Sequence, residues 1–186
     1  MPPDPDWPRL IEIPDACLVV LVGPAGSGKS TFAARHFAPD EVLSSDAFRA
    51  RIASDQRDQR ATRPAFAALH ATLVRRLRAG RLAVVDATNV TTAARRALTG
   101  RAAAAGMPAI AIVLDLPLPE VLARNGARRY VVPEPAVLAQ AAELRRAIEP
   151  GGLEADGFTR VVRLRSAAEV DAVRVTRAPA TLDPLP

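Results

Sequence analysis

One lysine stands among 25 basic residues, Lys29 in Gly23-Pro-Ala-Gly-Ser-Gly-Lys-Ser-Thr31. Gly23-x4-Gly28-Lys29-Ser30 is the spacing of a phosphate-binding loop, placed after an apolar run and before a helical pattern. Its glycines admit positive φ and let backbone N–H groups turn inward on phosphate oxygens, while the following helix N-terminus adds partial positive charge. Gly26, Ser27, Gly28, Lys29, Ser30 and Thr31 are therefore the candidate ATP contacts. Lys29 is expected to reach the β- and γ-phosphates and Ser30 to hold Mg²⁺. An ammonium is compact enough for a ring of amides, whereas a guanidinium is a wide planar fork. A chain that otherwise uses arginine keeps its lysine where arginine does not fit. The competing reading, a glycine-rich turn that binds nothing, leaves the strand–loop–helix context unexplained.

A phosphate loop does not name a reaction. A GTPase would need an Asn-Lys-x-Asp segment, which a single lysine already in the loop excludes, and the chain is small for a motor module. A kinase needs a group that orients an acceptor hydroxyl and takes its proton. Asp46, in Glu41-Val-Leu-Ser-Ser-Asp-Ala-Phe-Arg49, follows a short expected strand and so falls at the carboxyl edge of the sheet, where open parallel sheets bind ligands. Arg49, three residues on, shares its helical face, a pairing that suits a hydroxyl with a phosphate beside it. The spacing alone equally allows Asp46 to cap a helix and Arg49 to be its surface partner. Asp86 in Val84-Val-Asp-Ala-Thr-Asn89 ends a buried run, as a Walker B acid does. It is a candidate for a magnesium-bound water or for support of Asp46 and Arg49.

These residues need a scaffold. Cys17–Val22, Leu82–Val85, Ala109–Leu114 and Arg160–Leu164 are short apolar or β-branched runs without alternation, suited to strands buried on both faces, and Arg9–Ile13 and Glu41–Leu43 are shorter candidates. Helical patterns cover 29–36, 46–53, 63–81, 91–105, 118–129 and 134–148, with Phe66, Leu69, Leu73, Val74 and Leu77 in one stripe. Alternating strands and helices predict an α/β fold with a mostly parallel sheet covered on both faces.

The chain's 186 residues suit one domain, with Pro-rich segments 1–8 and 178–186 expected as disordered ends. Lone Cys17 excludes an internal disulfide framework and a cysteine zinc cluster. No apolar run reaches membrane-spanning length and no secretory pattern opens the chain, so the cytoplasm is expected. A net charge of +5 suits a phosphate-rich partner, but the arginines are scattered, as a coding bias toward Ala, Arg and Pro would leave them. His36 and His70 lie in helical patterns and suit packing or surface positions. Trp7 is in the lead-in and the phenylalanines suit the core, leaving no visible stacking platform for bases.

The stretch "LVVLVGPAGSGKSTFAARHFAPDEVLSSDAFR", a polar segment with Asp58-Gln59, and "LAVVDATNV" resemble in order and spacing the kinase domain of bacterial polynucleotide kinase–phosphatases. The resemblance covers roughly residues 9–177. It implies a P-loop NTPase fold with a helical lid, ATP and Mg²⁺ as cofactors, and RNA or DNA 5′-OH ends as acceptors. Asp46 would be the general base and Arg49 would grip the phosphate 3′ to the acceptor nucleoside. "LARNGARR" would supply the lid arginines Arg124 and Arg128, whose i, i+4 spacing puts them on one helical face. Two solvated arginines beside an equally near Arg129 is the alternative. Family members usually carry a phosphatase or ligase domain in the same polypeptide, for which this chain has no room. A stand-alone kinase working with separate phosphatase or ligase partners is one expectation. A small-molecule kinase acting on a sugar, nucleoside or antibiotic is another, and a non-catalytic nucleotide-binding module is a third.

Overall fold

A computed structural model describes residues 10–52 and 62–178. The strands are β1 (Leu10–Pro14), β2 (Leu18–Val22), β3 (Val42–Ser44), β4 (Ala83–Asp86), β5 (Ala109–Leu114), β6 (Arg160–Leu164) and β7 (Arg174–Ala178). The helices are α1 (Lys29–His36), α2 (Ser45–Ile52), α3 (Thr62–Arg78), α4 (Thr92–Ala103), α5 (Leu118–Gly126), α6 (Glu134–Ala147) and α7 (Ala167–Ala172). Five strands pair in parallel in the order β3-β4-β2-β5-β6, flanked by helices, which is the P-loop NTPase architecture.

The missing alternation in the apolar runs has its cause here. In β2, Val19 and Leu21 pack into one core with Phe32, Ile110, Ile112 and Leu164, while Leu18, Val20 and Val22 enter a second core with Leu69, Leu73, Val85 and Leu98. Successive side chains point to opposite faces, and both faces are covered. The α3 stripe buries Leu69, Leu73 and Leu77 fully, each burial stabilising the fold by ~1.5–3 kcal/mol. Phe32, Phe37 and Phe158 are buried, whereas Phe48 and Phe66 sit at the core margin.

Several boundaries move. The strand expected at 41–43 is Val42–Ser44, which brings its end one residue closer to Asp46. Helix α5 stops at Gly126 rather than running to 129. The first strand does not join the main sheet; it pairs in parallel with β7, an element that the sequence pattern did not suggest. Ala178, assigned to the tail, closes β7. Residues 1–8, Trp7, the tail from 179 and Asp58-Gln59 lie outside the described residues. Among the described residues, no helix is long and apolar enough to cross a membrane.

Candidate active site

The register of the sheet assembles the site. Leu21 of β2 and Ser44 of β3 both pair with Asp86 of β4. The phosphate loop leaves one residue after β2, and Asp46 lies two residues beyond Ser44. Loop, Asp86 and Asp46 are therefore neighbours at one sheet edge because three parallel strands end together.

Gly26 and Gly28 take φ of +89° and +94°, a region costly for any side chain. A Cβ on Gly26 would stand 2.4 Å from the Val121 carbonyl oxygen and 3.0 Å from the Asn125 nitrogen, so α5 lies directly on the crest of the loop. Gly28 precedes α1 and offers no side-chain cap, and the first turn of α1 holds no acid. Its N-terminal amides and dipole are left for an anion. Gln140 of α6 braces the loop from outside, its Oε1 accepting from the Ala25 N–H at 2.8 Å.

Lys29 is buried, with Nζ donating to the Pro24 carbonyl at 2.8 Å and to Ser27 Oγ at 3.4 Å. Burial pushes its ammonium down to about 8, assisted by Arg128 and opposed by Asp86 and Asp46. Ser30 Oγ donates to Asp86 Oδ2 at 2.8 Å. Burial raises the Asp86 pKa, while the Ser30 bond and the Lys29 charge hold it down. A hydroxyl bonded to a buried carboxylate beside the phosphate cradle is a set of hard oxygen donors, which fits Mg²⁺ completed by phosphates and water. Among the described residues no three His, Cys, Asp or Glu side chains gather to form a fuller metal cage.

Asp46 lies in the first turn of α2 with its side chain half exposed. The capping bond there is made by Ser44, whose Oγ accepts from the Ala47 N–H at 3.4 Å. One Asp46 oxygen accepts a short bond from Arg49 Nη2; the other lies 3.8 Å from Arg128 Nη2. The carboxylate is bracketed by two guanidiniums. Arg124 ion-pairs with Glu120 at 2.6 Å and hangs over the loop, its Nη1 3.4 Å from where a Gly28 Cβ would stand. Because α5 ends at Gly126, Arg128 leaves the shared helical face expected for the pair and reaches Asp46 from the following loop.

Sequence reasoning missed the frame behind these groups. Asn89, at φ +50°, donates to the Leu21 carbonyl at 2.8 Å, and Gly23 N–H bonds the Thr88 carbonyl at 3.0 Å. Arg95, 1% exposed, binds Asp156 at 2.7 Å and the carbonyls of Asn89 and Val90. This buried pair fastens the segment after Asp86 to the turn that precedes β6. The Ala-Thr-Asn that follows Asp86 was the only local signal. His36 is half-buried against the Phe32 ring, with centroids 4.4 Å apart, and His70 lies beside Phe66, so neither histidine enters the site.

A cleft of about 470 Å³ opens beside Pro24, lined by Leu116, Leu118, Val121, Leu144, Arg145 and Arg165 among others. It lies over the β5–β6 side of the loop, across from Asp46. A larger cavity of about 570 Å³, between Glu12, Met107 and Arg160, lies at the opposite edge of the sheet and holds none of the loop residues.

With the loop, its lysine and the parallel sheet in place, residues 18–150 match the family model described as AAA domain, AAA_33. The chain belongs to this family. The fold recurs in a sugar kinase from Janibacter sp. HTCC2649, at 23% identity and TM-score 0.56 over 81% of this chain and 85% of that one. Kti12 from Chaetomium thermophilum, solved with ADP-AlF3, matches at 21% and 0.58 over 84% and 94%. A gluconokinase from Sinorhizobium meliloti 1021 matches at 17% and 0.55 over 87% and 89%. Identities this low speak to the fold alone. Among curated proteins none matches the sequence. The narrower likeness to polynucleotide kinase–phosphatases gains nothing from these matches, which run instead to small P-loop kinases and related domains.

Proposed function

We propose that this AAA_33 chain is an ATP-dependent kinase whose acceptor is a small molecule with an anionic group near the reactive hydroxyl. The observation that carries it is Asp46, a half-exposed carboxylate at the phosphate-loop edge, bracketed by Arg49 and Arg128. A base alone needs no guanidinium against it; an acceptor that brings negative charge does. The sugar kinase and gluconokinase among its structural neighbours support a small acceptor.

In this reading the donor phosphates lie on the amides of residues 26–31, and the nucleoside extends into the cleft beside Pro24, away from Asp46. Asp46 takes the acceptor's hydroxyl proton as its oxygen bonds to the γ-phosphorus. The bond from that phosphorus to the β–γ bridging oxygen breaks, and ADP leaves. Lys29 and Arg124 stand where charge gathers on the β- and γ-oxygens, and Arg128 stands between acceptor and phosphoryl group. Ser30 and Asp86 would hold Mg²⁺, which neutralises donor charge when bound.

A second reading rests on the Asp46–Arg49 contact together with the sequence resemblance: the acceptor is a 5′-OH polynucleotide end, and Arg49 meets its first phosphodiester. Transfer of labelled γ-phosphate to sugar acids, sugar phosphates, nucleosides and 5′-OH RNA and DNA oligonucleotides separates the two. Transfer confined to oligonucleotides would replace the first reading with the second, and transfer to no acceptor would leave a nucleotide-binding module. Asp46→Ala should lower transfer by ~10²-fold or more with ATP binding retained. Near-full activity in that variant would remove Asp46 from the mechanism.

A further inference from the structure

A buried side chain ties the two limbs of the loop between α5 and α6 together. Asn125, 3% exposed, donates from Nδ2 to the Val132 carbonyl at 2.8 Å and accepts at Oδ1 from the Val132 N–H at 3.2 Å. A carboxamide carries donor and acceptor side by side, so it pairs with both polar groups of one backbone residue. The near limb is tied by Ala127 N–H to the Ala123 carbonyl and Arg128 N–H to the Asn125 carbonyl. The Asn125 side chain fastens the far limb. Between these ties stands Arg128, 3.8 Å from Asp46. The backbone nitrogen of the same asparagine abuts Gly26 at the loop crest.

We propose that Asn125 is a positioning residue that acts through Arg128: its carboxamide fixes residues 126–131 so that the guanidinium meets the phosphoryl group in transit beside Asp46. Its main chain references that placement to the phosphate loop itself. The inference rests on the kinase reading above. Aspartate at this position keeps the shape and the bond from Val132 N–H but loses the donor to the Val132 carbonyl. Alanine loses both.

The test is a double-mutant cycle on the full chain with Asn125→Ala, Asn125→Asp, Arg128→Ala and the Asn125→Ala/Arg128→Ala pair. It reads kcat and KM for ATP, together with affinity for ADP and for ADP–aluminium fluoride as a mimic of the transferring phosphoryl group. Arg128→Ala should lower kcat by about 10²-fold, the scale of a lost transition-state donor. Asn125→Ala should lower it by roughly tenfold or more, with KM for ATP within about twofold of wild type and most of the analogue's advantage over ADP lost. The double variant should be no worse than Arg128→Ala within about twofold, because two residues acting as one do not add. Asn125→Asp sets a buried carboxylate oxygen against the Val132 carbonyl, so it should melt below wild type and lose kcat at least as far as Asn125→Ala. Where a variant melts low, the cycle is read at a temperature at which it is folded, and wild-type kcat there would overturn the role. Multiplying losses, or a raised KM with kcat intact, would overturn the positioning role and leave the kinase reading standing. A wild type that binds the analogue no better than ADP would overturn both.

Discussion

Lys29 is held by a fold that works against its charge. Its pKa falls from 10.5 to about 8 through burial, the two nearby carboxylates opposing and Arg128 assisting. A shift of that size corresponds to about 3 kcal/mol of unfavourable interaction in the free protein. The unfolded chain keeps the proton up to about 10.5 and the folded chain only to about 8, so between those values the unfolded state binds more protons. Stability should therefore rise with pH across that window, and the full cost should be present below pH 8. Lys29→Met should raise the stability of the free protein at pH 7 by up to about 3 kcal/mol and abolish the pH slope above 8. ATP brings the missing counter-charge. Its binding should take up about half a proton at pH 8 and about 0.9 at pH 9, with affinity falling toward tenfold per pH unit above 8. Titration calorimetry in two buffers of different ionisation enthalpy measures the uptake, and urea melts at several pH values measure the stability. No uptake at pH 9, or a methionine variant less stable than wild type at pH 7, would refute the account.

Three further perturbations address other parts of the site. Arg95→Ala leaves Asp156 buried without its closest partner and should cost about 3–5 kcal/mol in urea unfolding; a loss below about 1 kcal/mol would mean the pair does not fasten the segment behind Asp86. Gly26→Ala meets both a positive φ and the Val121 carbonyl at 2.4 Å. It should lower the melting temperature by the equivalent of ~1–3 kcal/mol and weaken ATP binding, and unchanged ATP affinity in thermal-shift titration would argue against α5 resting on the loop. Arg49→Ala should raise KM for anionic acceptors by roughly 10- to 100-fold, the worth of a charge-assisted hydrogen bond, while sparing neutral ones. Equal loss on both classes would deny it the docking role.

What was legible in the sequence was local. The phosphate loop folds from nine consecutive residues, and the unbroken apolar runs of β2 and β5 reported a sheet covered on both faces before any contact was known. The illegible parts are pairings between distant residues. Strand β7 is mostly exposed and carries two arginines, so nothing in Arg174–Ala178 announces that it zips onto Leu10–Pro14. Gln140 reaches Ala25 across 115 positions and Arg95 reaches Asp156 across 61, and neither separation leaves a periodic trace. Arg128 was misplaced for a simpler reason: a helix expected to run to residue 129 ends at Gly126, and the guanidinium turns with the loop.

The pairing of β1 with β7 joins the earliest described strand to the last, Leu10 opposite Arg174 and Pro14 opposite Ala178. On a ribosome the inward residues Ile11 and Ile13 must wait, without the strand they pair beside, until every element between β1 and β7 has been synthesised. Closing so long a span comes late and slowly, since its entropic toll falls due before the contacts reward it. Arg177, one residue before the end of β7, grips Glu41 at 2.6 Å, immediately ahead of the strand that delivers Asp46. A contact that exists only after β7 has formed thus also steadies the strand that leads to Asp46, so the frame of the site is completed late in the synthesis of residues 10–178.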